Sequence, residues 1–370
     1  MRIRIPCFMA QNDATAVPGI RTVLMGRFSA LGDVAMTVPV VYSACRNYPD
    51  IRFVMLTRPS MTSLFVGAPS NLTVVGADVS GKYDGIKGLR TLAAELHSQY
   101  RPDVFVDLHN VLRTRILSVF LRLKGVPSVH IFKPRAKRRA LTRRVNKVML
   151  PLTSQRARYR EVFFKAGLPC NEIFDGLYHA RNSASAADFA AITASKPDGE
   201  KWIGIAPFAA HAGKIYPPDK MERIVEMFQH DADRGERLRI FLFGGGGNEQ
   251  TVLERWAAKY SCVQSLAGKR YGFPAELALL NHLDVMLAMD SANMHLAAIA
   301  GAPTLSIWGA THPYCGFKGW RQRDDDTIQV PVPCRPCSVF GDKPCFRGDY
   351  ICLTAIKPEV VYARMREKLK

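Results

Sequence analysis

The sequence is short of negative charge and of long apolar runs, and each shortage narrows what the chain can be. Asp and Glu number 32 against 51 Lys and Arg, a formal net charge of +19. That surplus favours an anionic partner, and nucleic acid, anionic lipid and a phosphorylated small molecule all satisfy it. No run of about 18 uncharged apolar residues occurs, which argues against a membrane-spanning helix. The opening MRIRIPCFMAQNDATAVPGIR is interrupted by Gln11, Asn12 and Asp13 before an apolar core of signal-peptide length forms. It reads as a ragged lead, and the expected compartment is the cytoplasm. Also missing are a G-x-G-x-x-G dinucleotide fingerprint, the Lys-Ser/Thr ending of a P-loop and any Ser, His and acid spacing adequate for a nucleophilic triad.

What is present is a 370-residue chain with 48% apolar and 22% charged residues, enough for about two domains of roughly 150 residues. Strand-like and helix-like windows alternate. Arg21–Arg27, Ile51–Thr57, Leu72–Gly76, Asp103–His109 and Val126–Phe132 read as strands; Val34–Cys45, Leu89–Tyr100 and Val111–Leu123 read as helices, the first kinked or restarted at Pro39. A second series follows, with strands at Trp202–Phe208, Leu238–Gly244, Leu283–Asp290 and Thr304–Trp308 and helices at Asp219–Gln229 and Asn248–Lys259. Alternation of this kind indicates βα units and parallel sheets. The expected class is α/β: two facing Rossmann-like domains, residues 1–190 and 191–370, with a ligand crevice outside the carboxyl ends of their strands. The last helix, Pro358–Lys370, can pack on either domain.

Several strand-end loops carry chemistry. Asp33, in FSALGD after the first strand, either caps a helix or serves as a general base in the crevice. The run FLFGGGGNE places four glycines, Gly244 to Gly247, where backbone amides can approach a phosphate, or where a flexible turn suffices. In MDSANMHLAAIAGAP, Asp290 or Ser291 can cap a helix whose free amides suit a diphosphate, with His295 one turn on. A capped helix with a satisfied histidine is the plainer reading. Lys214, in PFAAHAGKIYPPDK, can neutralise a departing diphosphate or lie on the surface. Four of nine cysteines, Cys334, Cys337, Cys345 and Cys352, follow the spacing C-x2-C-x7-C-x6-C. They fit a closed structural zinc site, a redox-sensitive pairing or reduced packing thiols. From Lys133 to Lys165 twelve basic residues face one acid, Glu161.

Taken in order, VLMGRFSALGDVAMTVPVV, DVFVDLHNVLRTRIL, GKIYPPDKM, FLFGGGGNE, LAMDSANMHLAAIAGAPTLSIWGATHP and CRPCSVFGDKPCFRGDYIC resemble the lipopolysaccharide heptosyltransferases and their relatives, glycosyltransferase family 9. The resemblance implies a GT-B fold, a nucleotide-diphosphate sugar donor such as ADP-heptose, a phosphorylated lipopolysaccharide-core acceptor, inversion at the anomeric carbon and no cofactor required for catalysis. It assigns Asp33 as the base, Lys214 to the phosphates, and Gly245, Gly246, Glu249, Asp290, Ser291, Ala292 and His295 to the donor. Tyr216 stands where a tryptophan is common, and Ala292 where glycine often follows Asp-Ser. Arg138, Arg139, Arg143 and Arg144 are expected to meet the anionic acceptor or the cytoplasmic face of the inner membrane; a merely solvated surface is the plainer reading. Nucleic acid is disfavoured, since no reader module accompanies the charge. Transfer of another sugar to a cell-envelope acceptor and a noncatalytic sugar-nucleotide-binding module are the alternatives.

Overall fold

The computed structural model describes residues 19–370; the N-terminal lead through residue 18 lies outside them. The first half of the chain alternates β1 (Thr22–Gly26), α1 (Leu31–Ala35), α2 (Val38–Asn47), β2 (Arg52–Thr57), β3 (Leu72–Gly76), α3 (Gly85–Tyr100), β4 (Val104–Asp107), α4 (Leu112–Arg122) and β5 (Ser128–His130). Two helices follow, α5 (Arg135–Thr142) and α6 (Gln155–Lys165). The second half runs β6 (Lys201–Ala206), α7 (Pro218–Asp233), β7 (Leu238–Leu242), α8 (Asn248–Lys259), β8 (Val263–Ser265), α9 (Phe273–Asn281), β9 (Val285–Met289), α10 (Ala292–Ala300), β10 (Thr304–Ile307), β11 (Thr327–Ile328), α11 (Ile351–Thr354) and α12 (Pro358–Leu369).

The strands form two sheets, in the orders β3-β2-β1-β4-β5 and β11-β10-β9-β6-β7-β8, with parallel pairing throughout. Parallel strands need helical crossovers that cover both faces, and accordingly TVLMG, RFVMLT and VMLAM are buried along nearly their whole length. Each sheet reverses direction of growth once, between β1 and β4 in the first and between β6 and β9 in the second. Strand-end loops diverge at such a switch point and leave a crevice there. Asp33 follows β1, Lys214 follows β6 and Asp290 follows β9, so the topology itself delivers these three residues to the two crevices.

Local chemistry sets the details near the first crevice. Pro39 stands in the first turn of α2, where its missing N–H removes no helical hydrogen bond, so the chain breaks into α1 and α2 at Thr37 and restarts. Beyond α6, which packs against α2, the chain crosses to the second sheet's helices. Leu177 donates its amide to Ile299 O at 3.0 Å, and Phe189 stacks edge-on against Trp202 at 5.8 Å. Helix α12 lies on the second half, with Tyr362 against Phe228 of α7 at 4.8 Å. Among the described residues no helix is long and apolar enough to cross a membrane.

Candidate functional site

The strand ends of the two sheets enclose one cavity of about 470 Å³, lined from the first by Gly32 and Asp33 and from the second by Lys214, Glu249, Asp290, Ser291, Ala292 and His295. Gly32 explains how the two sides come so close. A Cβ at position 32 would lie 2.9 Å from His295 Cδ2 and 3.2 Å from Ala292 Cα, so only glycine lets the α1 loop reach the start of α10.

On the first side, Asp33 sits in the opening turn of α1, and its Oδ2 is held by the Arg27 guanidinium at 2.6 Å. Tyr159 on α6 is fully buried, donates its hydroxyl to the Asp33 backbone carbonyl at 3.2 Å and carries Arg27 over its ring at 5.7 Å. Further cations gather behind. Burial lowers Arg158 to about 10, with Arg138 adding to the shift and Asp33 opposing it. Burial likewise lowers Lys133, which donates to Asn110 O at 2.9 Å. Burial, then Arg27 and Lys133, lower His109 to about 4, so its ring is neutral near pH 7. Beside it Asp107, at the end of β4, accepts from Thr114 and from the amides of His109 and Asn110, and pairs with His130 Nδ1 at 2.9 Å. The Nε atoms of Arg27, Arg138 and Arg158 are buried without a partner.

The second side is arranged differently. Lys214 Nζ lies 3.0 Å from Asp290 Oδ2, which also accepts from Thr311 at 2.8 Å. Asp290 is 3% exposed, so it acts as the buried anchor of Lys214 rather than as an open ligand. Ser291 occupies the N-cap position of α10, yet its hydroxyl makes no capping bond and is buried without a partner. The capping expected of Asp290 or Ser291 is therefore absent, and Ser291 and Ala292 line the cavity at the uncapped start of α10. His295 is also unsatisfied, at Nδ1, in place of the satisfied histidine of the plainer reading. Burial lowers His295 to about 4, so it stands neutral at the cavity wall.

The glycine run is only partly at the site. Glu249 accepts the Gly245 amide at 2.7 Å, closing the loop on itself, and Glu249 lines the cavity while Gly245 and Gly246 do not. Tyr216 is fully buried and donates its hydroxyl to Ile356 O at 2.9 Å, so the residue at the usual tryptophan position belongs to the core and not to the cavity wall. The four arginines expected to act together are divided. Arg138 turns inward, its guanidinium 5.4 Å from the Phe340 ring and 5.9 Å from that of Phe317, both lining residues. Arg139, Arg143 and Arg144 are exposed.

Cys334, Cys337, Cys345 and Cys352 are free thiols: burial raises Cys337, with the nearby Cys334 and Cys345 adding to the shift on Cys337, and burial raises Cys352 to about 11. Among the described residues no group of three or more His, Cys, Asp or Glu side chains is gathered as a metal site. Their loop has another neighbour. A Cβ on Gly341 would lie 2.7 Å from Lys214 Cγ, and Val339 and Phe340 line the cavity. Arg27, Arg158, Tyr159, Phe317 and Phe340 were not singled out from the sequence. For Arg27 the signal existed, since it ends the strand that delivers Asp33, and Arg158 lies within the basic segment Lys133–Lys165; nothing local in the sequence marks the other three.

Two parallel α/β halves facing across a cavity at their strand ends constitute the GT-B fold. The family model for glycosyltransferase family 9 (heptosyltransferase) matches residues 92–343, and the chain belongs to that family. It is 25% identical to lipopolysaccharide heptosyltransferase 1 of Pseudomonas aeruginosa over 364 residues, 94% of this chain and 98% of the relative. Among solved structures, a family 9 glycosyltransferase of Veillonella parvula superposes with a TM-score of 0.70 at 15% identity, covering 96% of this chain and 99% of that one. An Escherichia coli heptosyltransferase solved with ADP gives 0.63 at 17% identity, covering 94% and 99%.

Proposed function

We propose that the protein is an inverting transferase that moves a sugar, heptose from ADP-heptose, to a lipopolysaccharide-core acceptor, with Asp33 as the base. Its standing as a GT-B glycosyltransferase related to the ADP-heptose heptosyltransferases is the broader statement within which this reading falls. The observation that carries it is the shared cavity: Asp33 on one wall faces Lys214, Ser291 and the start of α10 on the other.

The geometry divides the labour. Arg27 occupies Asp33 Oδ2, leaving Oδ1 to accept the proton of an acceptor hydroxyl. As that oxygen bonds to the anomeric carbon, the bond to the diphosphate breaks and the electron pair leaves with the nucleotide. Charge growing on the leaving group meets Lys214, the Ser291 hydroxyl and the α10 amides. A neutral His295 lines the same wall without adding charge. Arg138 and its cationic neighbours suit an anionic acceptor, and no resident cofactor takes part in these steps.

The test is a titration of several nucleotide-diphosphate sugars followed by product analysis with deacylated core acceptors, in the presence and absence of chelator. ADP-heptose is expected to bind most tightly and to give product in both conditions. Failure of every sugar nucleotide to bind overturns the transferase and the noncatalytic module together; turnover with a different sugar moves the assignment to that donor.

A further inference from the structure

We propose that the loop from Pro333 to Asp342 is a positioning element for Lys214, in which the Gly341 backbone seats the aliphatic stem of the lysine and the Arg335 guanidinium fixes the strand-end segment that holds its head. This deepens the transfer reading above and rests on the part of it in which Lys214 faces the diphosphate.

A lysine ammonium rides on a flexible four-carbon stem, so a site that uses it as a fixed charge must restrict that stem. Asp290 Oδ2 holds only the head, at 3.0 Å from Nζ. The stem is held by main chain. A Cβ at Gly341 would lie 2.7, 3.2 and 3.1 Å from Lys214 Cγ, Cδ and Cε, so the backbone there runs along three of its carbons. Gly341 is buried at φ +77°, a conformation glycine adopts without strain. Two more glycines continue the close approach. A Cβ on Gly213 would meet Gly341 O at 3.0 Å, and one on Gly309 would meet Gly213 O at 2.5 Å. Three chain segments therefore stack backbone on backbone at the foot of Lys214.

Arg335 ties this stack together. It is 4% exposed, and its Nε, Nη2 and Nη1 donate to the carbonyls of Gly309, Thr311 and Val330 at 2.6, 3.0 and 2.8 Å. A planar guanidinium can serve three carbonyls at once, which an ammonium does less well. Between the first two carbonyls, Ala310 donates its amide to Gly213 O at 2.7 Å and accepts the amides of Cys337 and Ser338 at 3.0 and 3.3 Å. The Thr311 hydroxyl is the second donor to Asp290 Oδ2. Ser338 Oγ accepts the amides of Phe340 and Gly341 at 3.1 and 2.9 Å, which fixes the turn that presents Gly341. Neither Arg335 nor Gly341 lines the cavity, so both act on a bound diphosphate through Lys214 and its partner.

Calorimetric titration of the full chain with ADP tests this, with UDP or GDP taking its place should either bind the parent more tightly. Gly341→Ala should weaken nucleotide affinity about fivefold, and in a Lys214→Ala background it should weaken it by less than about twofold further. The control is Gly348→Ala. Gly348 lies in the same cysteine-bearing stretch at φ +80° with open space where a Cβ would go, so alanine there carries the same backbone strain without touching Lys214. That variant should lower the melting temperature comparably and keep nucleotide affinity within about twofold of the parent. If Gly341→Ala does not fold, Ser338→Ala should show the same dependence on Lys214, with a loss of about threefold. Equal losses with and without Lys214, or a loss in Gly348→Ala as large as in Gly341→Ala, overturns the proposal. A parent that binds nucleotide and transfers no sugar ends the transfer reading alone; a parent that binds none of the three nucleotides ends both.

Discussion

On the first wall of the cleft the carboxylates of Asp33 and, behind it, Asp107 are outnumbered by Arg27, Arg138, Arg158 and Lys133, whereas on the second wall Lys214 is paired with Asp290, and Ser291 and His295 contribute neutral atoms. The first wall thus retains positive charge that the protein does not neutralise, which an anionic acceptor completes. The second pairs its lysine with Asp290 and adds the Glu249 carboxylate, so a diphosphate there must share Lys214 with Asp290 and depend on backbone amides and a hydroxyl. One wall selects by net field and the other by fixed donors, and substitutions on the two should fail in different ways.

The largest effect is expected at Asp33. Asp33→Ala should lower kcat by about 10³-fold or more while nucleotide affinity changes only a few-fold, because the base acts on the acceptor hydroxyl. Steady-state transfer near the parent rate by the folded variant would remove Asp33 from the base role. Lys214→Ala should fail on both counts. Turnover should drop on the order of 10²-fold, nucleotide affinity should fall, and stability should fall by roughly 3–5 kcal/mol, since Asp290 is left as an unpaired buried charge. Adding Asp290→Asn should restore much of the melting temperature without restoring turnover. Recovery of both would mean that Lys214 only balances Asp290.

Gly32→Ala probes the contact between the walls. Its new methyl would press on His295 and Ala292, so calorimetry should show a lower melting temperature and kinetics a loss of about tenfold in kcat/KM. A variant indistinguishable from the parent would mean the walls do not close as described. The smallest effect separates two arginines on one helix. Arg138→Gln should raise the acceptor KM several-fold more than Arg139→Gln, with the difference narrowing as salt rises, because the Debye length is only about 8 Å at physiological ionic strength. Equal effects would return both residues to one undivided surface.

The fold was legible because parallel strands are buried on both faces and announce themselves as short apolar runs; Leu72–Gly76 and Asn248–Lys259 have the limits read from sequence. Elements without a clean period escaped. Helix α5, RAKRRALT, is short and mostly basic with one buried apolar residue, Leu141, and α9, FPAELALLN, is apolar nearly all round and shows no amphipathic stripe. At the site, the residues delivered by strand ends were legible, since position along a βα unit decides where they point. Their partners were not. That Asp290 serves Lys214, that Glu249 closes the glycine loop, and that Arg138 turns away from Arg139 all depend on contacts across the fold.

The measurement that most directly tests direct displacement across the cleft is the anomeric configuration of the product, read by NMR after transfer from ADP-heptose to a deacylated core acceptor. One base facing one leaving group predicts a single displacement and a product of configuration opposite to the donor's. Retention of configuration would contradict that account, because a single in-line displacement inverts the anomeric carbon.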